Sequence, residues 1–352
     1  MTIKTDLALL QAHDAISFEV EPTAYIEDGH KSNFNLALDA QPGLVTVASA
    51  GIPTFLTTFM DPNAVRVLQS PNQAAQIFGE EVKGSWVDTT IVVPVQENTG
   101  TVSAYDDYSA DGRADVNATF ENREPFMFQT VIGYGDQEVE RYGLARLQLV
   151  SDKQMAAVKA LDKFQNKTYF FGVAGLQNYG LLNDPSLKAP IAPAPKAAGG
   201  ISWALASANE IFADISSLVT QVIQQANGLL DKKSSYTLAM SPVSEARLAA
   251  TNQFNVNVED LIKKNYPNLT IKTAVQYGAI SAQNTEGNSA GELVQLIADA
   301  VEGQDTGYCA TNCKLRTGKI VTQLSSFEQK YAQGTVGAIV RLPYAIGQML
   351  GV

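Results

Sequence analysis

Leu144 to Asp184 reads LARLQLVSDKQMAAVKALDKFQNKTYFFGVAGLQNYGLLND. Leu147, Val150, Met155, Val158, Leu161 and Phe164 recur at three- to five-residue steps, and Lys153, Lys159, Lys163 and Lys167 fall largely outside that stripe. This is the period of one long amphipathic helix. Drawn from about Ala145 to Phe171, it would run about 40 Å at 1.5 Å per residue. A compact globule of this chain length is only about 50 Å across, so the helix is a spine for the whole chain. Gly172, Gly175 and Gly180 then break it, and Pro185 forbids its return. Asp136 is placed to cap a shorter helix ahead of Gly143, and Ser151 with Gln154 fits a capping box that would start the spine later. Helices of this kind are usually core scaffolding. The spine is expected to hold shape and to carry no chemistry.

Composition narrows the class. The 352 residues allow two or three domains, and only 17% are charged, below the roughly 25% usual for globular domains. With 45% hydrophobic residues, that points to surfaces that end up against other subunits. A net charge of -11 argues against a basic patch that wraps nucleic acid, although a surface that must not grip DNA would also be neutral or acidic. The two cysteines, Cys309 and Cys313, exclude a disulfide framework and are expected to be reduced. A zinc site would need two more ligands, and the only histidines, His13 and His30, lie in a polar N-terminal segment. No signal peptide and no membrane span is expected: the longest uncharged run, 41–60, holds Pro42, Pro53 and many Thr and Ser. These features suggest a soluble chain from a reducing compartment.

In chain order, residues 1–49 show no sustained period and read as mobile or docked on a neighbour. Strand-like runs follow over 44–67, then a short helix at 70–78. Trp86 to Gln96 is β-rich, with Pro94 marking an edge or a two-stranded ribbon. About 25 polar residues separate it from Phe126, Phe128, Thr130 and Ile132, which alternate as a returning strand. That predicts a long projecting hairpin, which alone in water is marginal and so implies a partner. Pro185 to Gly200 reads as a Pro/Ala/Gly linker. Trp203 to Asn227 is a second amphipathic helix, with Ile211, Ile215, Leu218 and Val222 on one face and Gly228 as its stop. Strands at 236–240, 269–276 and 292–301 and helices at 242–251 and 258–265 predict a small α/β unit over 231–305. Gly334 to Val340 is a further strand. The apolar end, 344–352, is expected to return to the body that holds the spine.

Two motifs invite chemistry. Gly287-Asn288-Ser289-Ala290-Gly291 matches the G-x-S-x-G elbow, which requires a strand before, a helix after and a histidine later in the chain. Both histidines lie upstream, so a flexible loop tip is the plainer reading. Asp107, Ser109, Asp111, Gly112 and Asp115 resemble a calcium loop, but its twelfth position is Ala118 where a bidentate Glu is required. A solvated hairpin tip is the plainer reading there, beside weak cation binding shared between the tips of several subunits. No phosphate loop, dinucleotide fingerprint or zinc-protease motif occurs. No catalytic residue, metal or cofactor is expected.

The order of parts and the stretch FFGVAGLQNYGLLNDP (170–185) resemble a tailed-bacteriophage major capsid protein of the Hong Kong 97 fold. VNATFENR (116–123), TLAMSP (237–242), SSFEQK (325–330) and RLPYAIGQMLGV (341–352) support the resemblance in order along nearly the whole chain. It implies an α+β fold with an N-terminal arm (1–49) and an extended hairpin loop (85–125). The peripheral domain would comprise 50–84, 126–230 with the spine, and 306–352, and the axial domain 231–305. It further implies hexamers and pentamers closing an icosahedral shell around double-stranded DNA. Portal, scaffolding and decoration proteins would be partners, DNA would be enclosed without sequence-specific binding, no membrane would be involved, and assembly would occur in the bacterial host cytoplasm. Inter-subunit contact candidates on the hairpin are Trp86, Asp106, Asp107, Asp111, Arg113, Asp115, Phe120, Arg123 and Glu124.

The type member of that fold welds subunits through a hairpin lysine joined to an asparagine. This chain has no lysine between Lys83 and Lys153, so no such crosslink is expected. It also lacks a long helical N-terminal extension, which suggests a separate scaffolding protein. The competing readings are an encapsulin-type nanocompartment, a serine hydrolase using Ser289, and a phage-tail or baseplate subunit.

Overall fold

The spine is a helix over Leu149–Phe171, and the sequence around it explains both ends. Gln148 has a non-helical ψ of 71° and Gly172 a φ of 65°. The helix therefore starts four residues later than the apolar period suggests and spans about 35 Å. The computed structural model describes residues 71–108, 111–144 and 148–352. Apart from Leu144 these belong to one compact unit, Val67–Gly143 with Gln148–Val352. The expectations for the N-terminal arm, for strands over 44–67 and for Leu147, His13, His30 and Ser109 lie outside the described residues.

The described elements are α1 (Ala74–Phe78), β1 (Glu80–Val82), β2 (Ile91–Gly100), β3 (Ala114–Arg123), β4 (Phe126–Gly135), α2 (Asp136–Leu144) and the spine α3 (Leu149–Phe171). Next come α4 (Ala208–Gln225), β5 (Tyr236–Met240), α5 (Pro242–Arg247), α6 (Val258–Asn265), β6 (Leu269–Thr273) and β7 (Leu293–Ala298). A small hairpin, β8 (Ala300–Val301) and β9 (Gln304–Asp305), leads to β10 (Gly307–Thr311) and β11 (Cys313–Thr322). The chain ends with β12 (Ser326–Thr335), β13 (Gly337–Val340) and β14 (Ile346–Leu350).

The spine buries only part of the stripe its apolar period predicts: Leu161 is buried and Val150 and Val158 are partly buried. Met155 and Phe164 are 37% and 39% exposed, while Leu149, Ala157, Leu161, Tyr169 and Phe170 are buried together with Gln165, Asn166 and Thr168. The polar members are tolerated because each has a partner. Gln165 donates to the Tyr169 hydroxyl at 2.7 Å, and Thr168 donates to Thr335 Oγ1 at 2.9 Å. Asn166 Oδ1 accepts the amides of Gln73 and Ala74, both at 3.1 Å, so the spine caps α1 from across the structure. On the half-exposed side Phe164 lies against Phe128, ring centroids 4.6 Å apart.

Strand pairing corrects the expected hairpin. β2 pairs antiparallel with β3, from Ile91 opposite Arg123 to Gly100 opposite Ala114. The returning strand thus lies inside the stretch expected to be a loop: Ala114, Val116, Ala118 and Phe120 alternate along ADVNATFENR, but two of the four are small alanines and the residues between them are polar or charged, so the segment reads as a loop. β4 pairs instead with β12, in the sheet β11-β12-β4 that packs on the spine through Ile132, Tyr331, Ala157 and Leu161.

The small α/β unit forms around the sheet β14-β7-β5-β6. β5 and β7 are buried along their whole length, which suits their continuous apolar runs. α4 lays Ile211, Ile215, Leu218 and Val222 on this sheet, but it starts at Ala208, after a separate 3-10 turn over Trp203–Leu205, and ends with Ala226 as its C-cap, short of Gly228 (φ 88°), the residue expected to stop it. Three further expectations shift. β14 pairs with β7, so the last strand joins this sheet by its backbone, while Ile346 and, partly buried, Leu350 reach the cluster that holds Phe170. The strand expected over 334–340 is broken after Thr335, where Gly337 takes φ 82°. The 185–200 stretch is packed and not a free linker: Ile191 exchanges backbone hydrogen bonds with Gln348 and Leu350, and Lys196 is buried on Asp214. Asp214 also accepts the Trp203 indole N–H at 2.8 Å, which completes the pairing that a buried charge requires.

Candidate self-association surface

Among the described residues, β2 and β3 form a ribbon with no third strand. Every residue of β3 except Arg123 is exposed, as is most of β2. Ten paired residues give the ribbon a length of about 34 Å, yet Val92, Val95, Val116 and Phe120 find no burial along it. Tyr105 and Tyr108 beyond its end are almost fully exposed. Isolated two-stranded ribbons are marginal in water, so this one is held from its base.

The base is built by the turn that follows the spine. Leu181 and Leu182 donate their amides to the carbonyls of Tyr169 and Phe170, at 2.8 and 3.0 Å, folding the turn back on the last turn of the helix. That approach needs Gly180, where any Cβ would overlap the Phe170 carbonyl group, and Gly337, where it would overlap the Tyr179 carbonyl. The folded turn presents four groups to the ribbon. Asp184 Oδ2 accepts from the Arg123 guanidinium at 2.9 Å, with the two side chains 0% and 5% exposed. The Tyr179 ring lies 4.9 Å from that guanidinium. Gln177 exchanges backbone and side-chain hydrogen bonds with Glu124, and Asn178 Nδ2 donates to the carbonyls of Glu124 and Thr335. On the other strand Ile91 and Val93 pack against Tyr308, Ala310, Val336 and Ile339.

The sequence-predicted contact residues divide accordingly. Asp106 accepts the Tyr108 amide, Asp107 the Tyr105 hydroxyl and Asp115 the Val116 amide, on the exposed outer part with Asp111 and Arg113, while Phe120 is exposed nearer the base, opposite Pro94. Trp86 is half-exposed beneath the Arg316 guanidinium, 3.8 Å from its ring centroid. Arg123 differs from these: it is 4% exposed, and its charge is paired inside the subunit with Asp184, where it anchors the ribbon. Glu124 is largely used the same way. The anchor's partners Gln177, Asn178, Tyr179 and Asp184 lie in the glycine-punctuated stretch 170–185 but carry no individual sequence signal.

Chemistry of other kinds finds little footing. Ser289 is exposed in a loop that leads into β7, a strand where a nucleophile elbow requires a helix. Among the described residues no cluster of His, Cys, Asp or Glu could hold a metal ion, and no helix is long and apolar enough to cross a membrane. Both cysteines are free thiols, and burial, with the nearby Glu80 charge, pushes the Cys309 thiol well above its usual range and so away from the reactive thiolate.

Among the described residues, the exposed ribbon is a surface open to packing against another molecule. The family model described as Pa193 gp26 major capsid protein matches residues 43–351. The chain therefore belongs to that family of phage major capsid proteins. No curated protein matches it. In fold it is similar to the capsid of Myoviridae phage XM1, at 12% identity and a TM-score of 0.67 over 88% of this chain and 100% of that one. It is also similar to a chain of Gordonia phage Cozz, at 12% identity and a TM-score of 0.56 over 89% and 99%, and to the capsid of cyanophage P-SCSP1u, at 8% and 0.56 over 89% and 99%.

Proposed function

We propose that this chain is the tile of an icosahedral shell of the Hong Kong 97 kind, closing as hexamers and pentamers around double-stranded DNA. The observation that carries the reading is the ribbon, anchored firmly at its base and unburied along the rest of its length. Its apolar residues gain burial only when another molecule covers them. Family membership supports a second copy as that molecule.

Residues 1–49 are then the arm and 85–125 the extended loop. The spine and the sheet β11-β12-β4 belong to the peripheral domain, with the axial domain built around 231–305. Trp86, Asp106, Asp107, Asp111, Arg113, Asp115 and Phe120 are the proposed contact residues of the extended loop. The role is structural and not enzymatic. Portal, scaffolding and decoration proteins are the proposed additional partners, and assembly takes place in the host cytoplasm. The net charge of -11 supports enclosing DNA without gripping it. Without a lysine between Lys83 and Lys153, the shell holds by burial and ionic contacts and not by a lysine–asparagine weld.

Electron microscopy of the chain expressed with its scaffold tests the reading. Closed shells of uniform diameter are expected; rings, tubes or dispersed single subunits would refute it.

A further inference from the structure

Strand register sorts the ribbon's side chains into two faces of unlike character. Residues directly opposite in an antiparallel pair share a face, and the face alternates along each strand. With Ile91 opposite Arg123, Val93 opposite Glu121, Glu97 opposite Asn117 and Thr99 opposite Asp115, all four charged residues of the two strands fall on one side. Val92, Pro94, Phe120, Ala118 and Val116 fall on the other, together with neutral polar residues and no charge at all. Random placement of four charges would seldom leave one face empty.

The anchor decides which face is presented. Ile91 and Val93 pack on the body, and Arg123 reaches Asp184, all from the charged face. The charge-free face is therefore turned away from the ribbon's own seat, and Val92, Phe120 and Val116 are 51%, 66% and 53% exposed on it.

We propose that the charge-free face is the side of the ribbon that packs on a second copy of this chain, while the charged face stays wet beyond its anchored base. The proposal rests on the capsid reading above and adds the sidedness. DNA is a poor occupant, because the face has no Lys or Arg to neutralise phosphate. Its extent also suits repetition. A strip about 34 Å long and two strands wide offers about 300 Å², well under the roughly 800 Å² per partner of a stable pairwise complex. Such a contact is too small to hold an isolated dimer and is useful where each subunit makes several at once.

The test compares matched exposed positions on neighbouring residues of one strand. Phe120→Glu places a charge on the apolar face, and Thr119→Glu places the same charge on the other. Particle yield is read by sedimentation, with circular dichroism of the soluble subunit as a check on folding. The expected result is at least a tenfold loss of particles for Phe120→Glu and a yield within twofold of the parent for Thr119→Glu. Equal yields, or equal losses, would overturn the sidedness. A second pair guards against misfolding: in assembled particles Ala118→Cys should be shielded from maleimide and Asn117→Cys should react, and the reverse pattern would overturn the proposal. Failure of the parent chain itself to form particles would instead strike the capsid reading, and this inference with it.

Discussion

Replacing Arg123 with Met removes the charge that ties the ribbon to the spine-end turn while keeping a side chain of similar length. The Asp184 carboxylate, 0% exposed in its side chain, would be left with only the Ser186 amide and hydroxyl, at 2.9 and 2.6 Å. Breaking a buried ion pair on one side costs about 3–5 kcal/mol, because the remaining charge stays desolvated. Two surviving hydrogen bonds place this case near the lower end. The native guanidinium also leaves its Nε without a partner, which lowers the worth of the native arrangement. Loss of its stacking over Tyr179 adds about 0.5–1 kcal/mol. A destabilisation of about 3 kcal/mol follows, roughly two orders of magnitude in the equilibrium for opening the ribbon base. Chemical denaturation of the unassembled subunit, with amide exchange followed over 114–123, measures it. Removing both charges, Arg123→Met with Asp184→Leu, should recover most of the loss, since no buried charge is then stranded. A single variant within 0.5 kcal/mol of the parent, or a double variant worse than the single, would refute the anchor.

Gly180→Ala should leave the subunit insoluble or cost more than about 4 kcal/mol, because its Cβ meets backbone of Phe170 that cannot move aside. Gly175→Ala, with open space around it and φ 86°, should cost only about 1 kcal/mol by thermal melting. Amide hydrogen bonds from Ala197 and Ser207, and the Ser207 hydroxyl, hold the Glu210 carboxyl at about 2 against its usual 4.5. A carboxyl depressed in this way stabilises the fold above its unfolded value and loses that contribution as the pH falls toward the folded one. The start of α4 should therefore weaken between about pH 4.5 and 2, and Glu210→Gln should abolish that part of an acid titration followed by circular dichroism. Boiling mature shells in detergent should release free monomer; a persistent ladder of multimers would contradict the absence of a weld.

Where burial followed an apolar period, the sequence was readable. The Ile211, Ile215, Leu218 and Val222 face of α4 and the proline-led start of α5 are local signals, and the structure places both as expected. Long-range polar pairing was not readable. The spine's Thr168 is buried because Thr335 meets it, and Lys196 enters the interior because Asp214 receives it. Neither partner is visible from a window of sequence. β3 is a related case: Ala114, Val116, Ala118 and Phe120 do alternate along it, but small alanines and the polar residues between them make the segment resemble a loop. Arg123 looked like a free surface charge because its partner lies 61 residues away in the chain. The glycines of 170–185 marked a special turn, but which backbone they had to pass became clear only from Phe170 and Tyr179.

The claim that the ribbon obtains its burial from another copy is tested most directly by amide exchange over 91–100 and 114–123, in the unassembled subunit and in the closed shell. The outer amides of the ribbon should exchange rapidly in the free subunit, with those near Ile91 and Arg123 slower, and the whole ribbon should become strongly protected on assembly. Exchange that is equally slow in both states would show a ribbon stable by itself, and equally fast exchange would show one that no neighbour covers; either result contradicts the account.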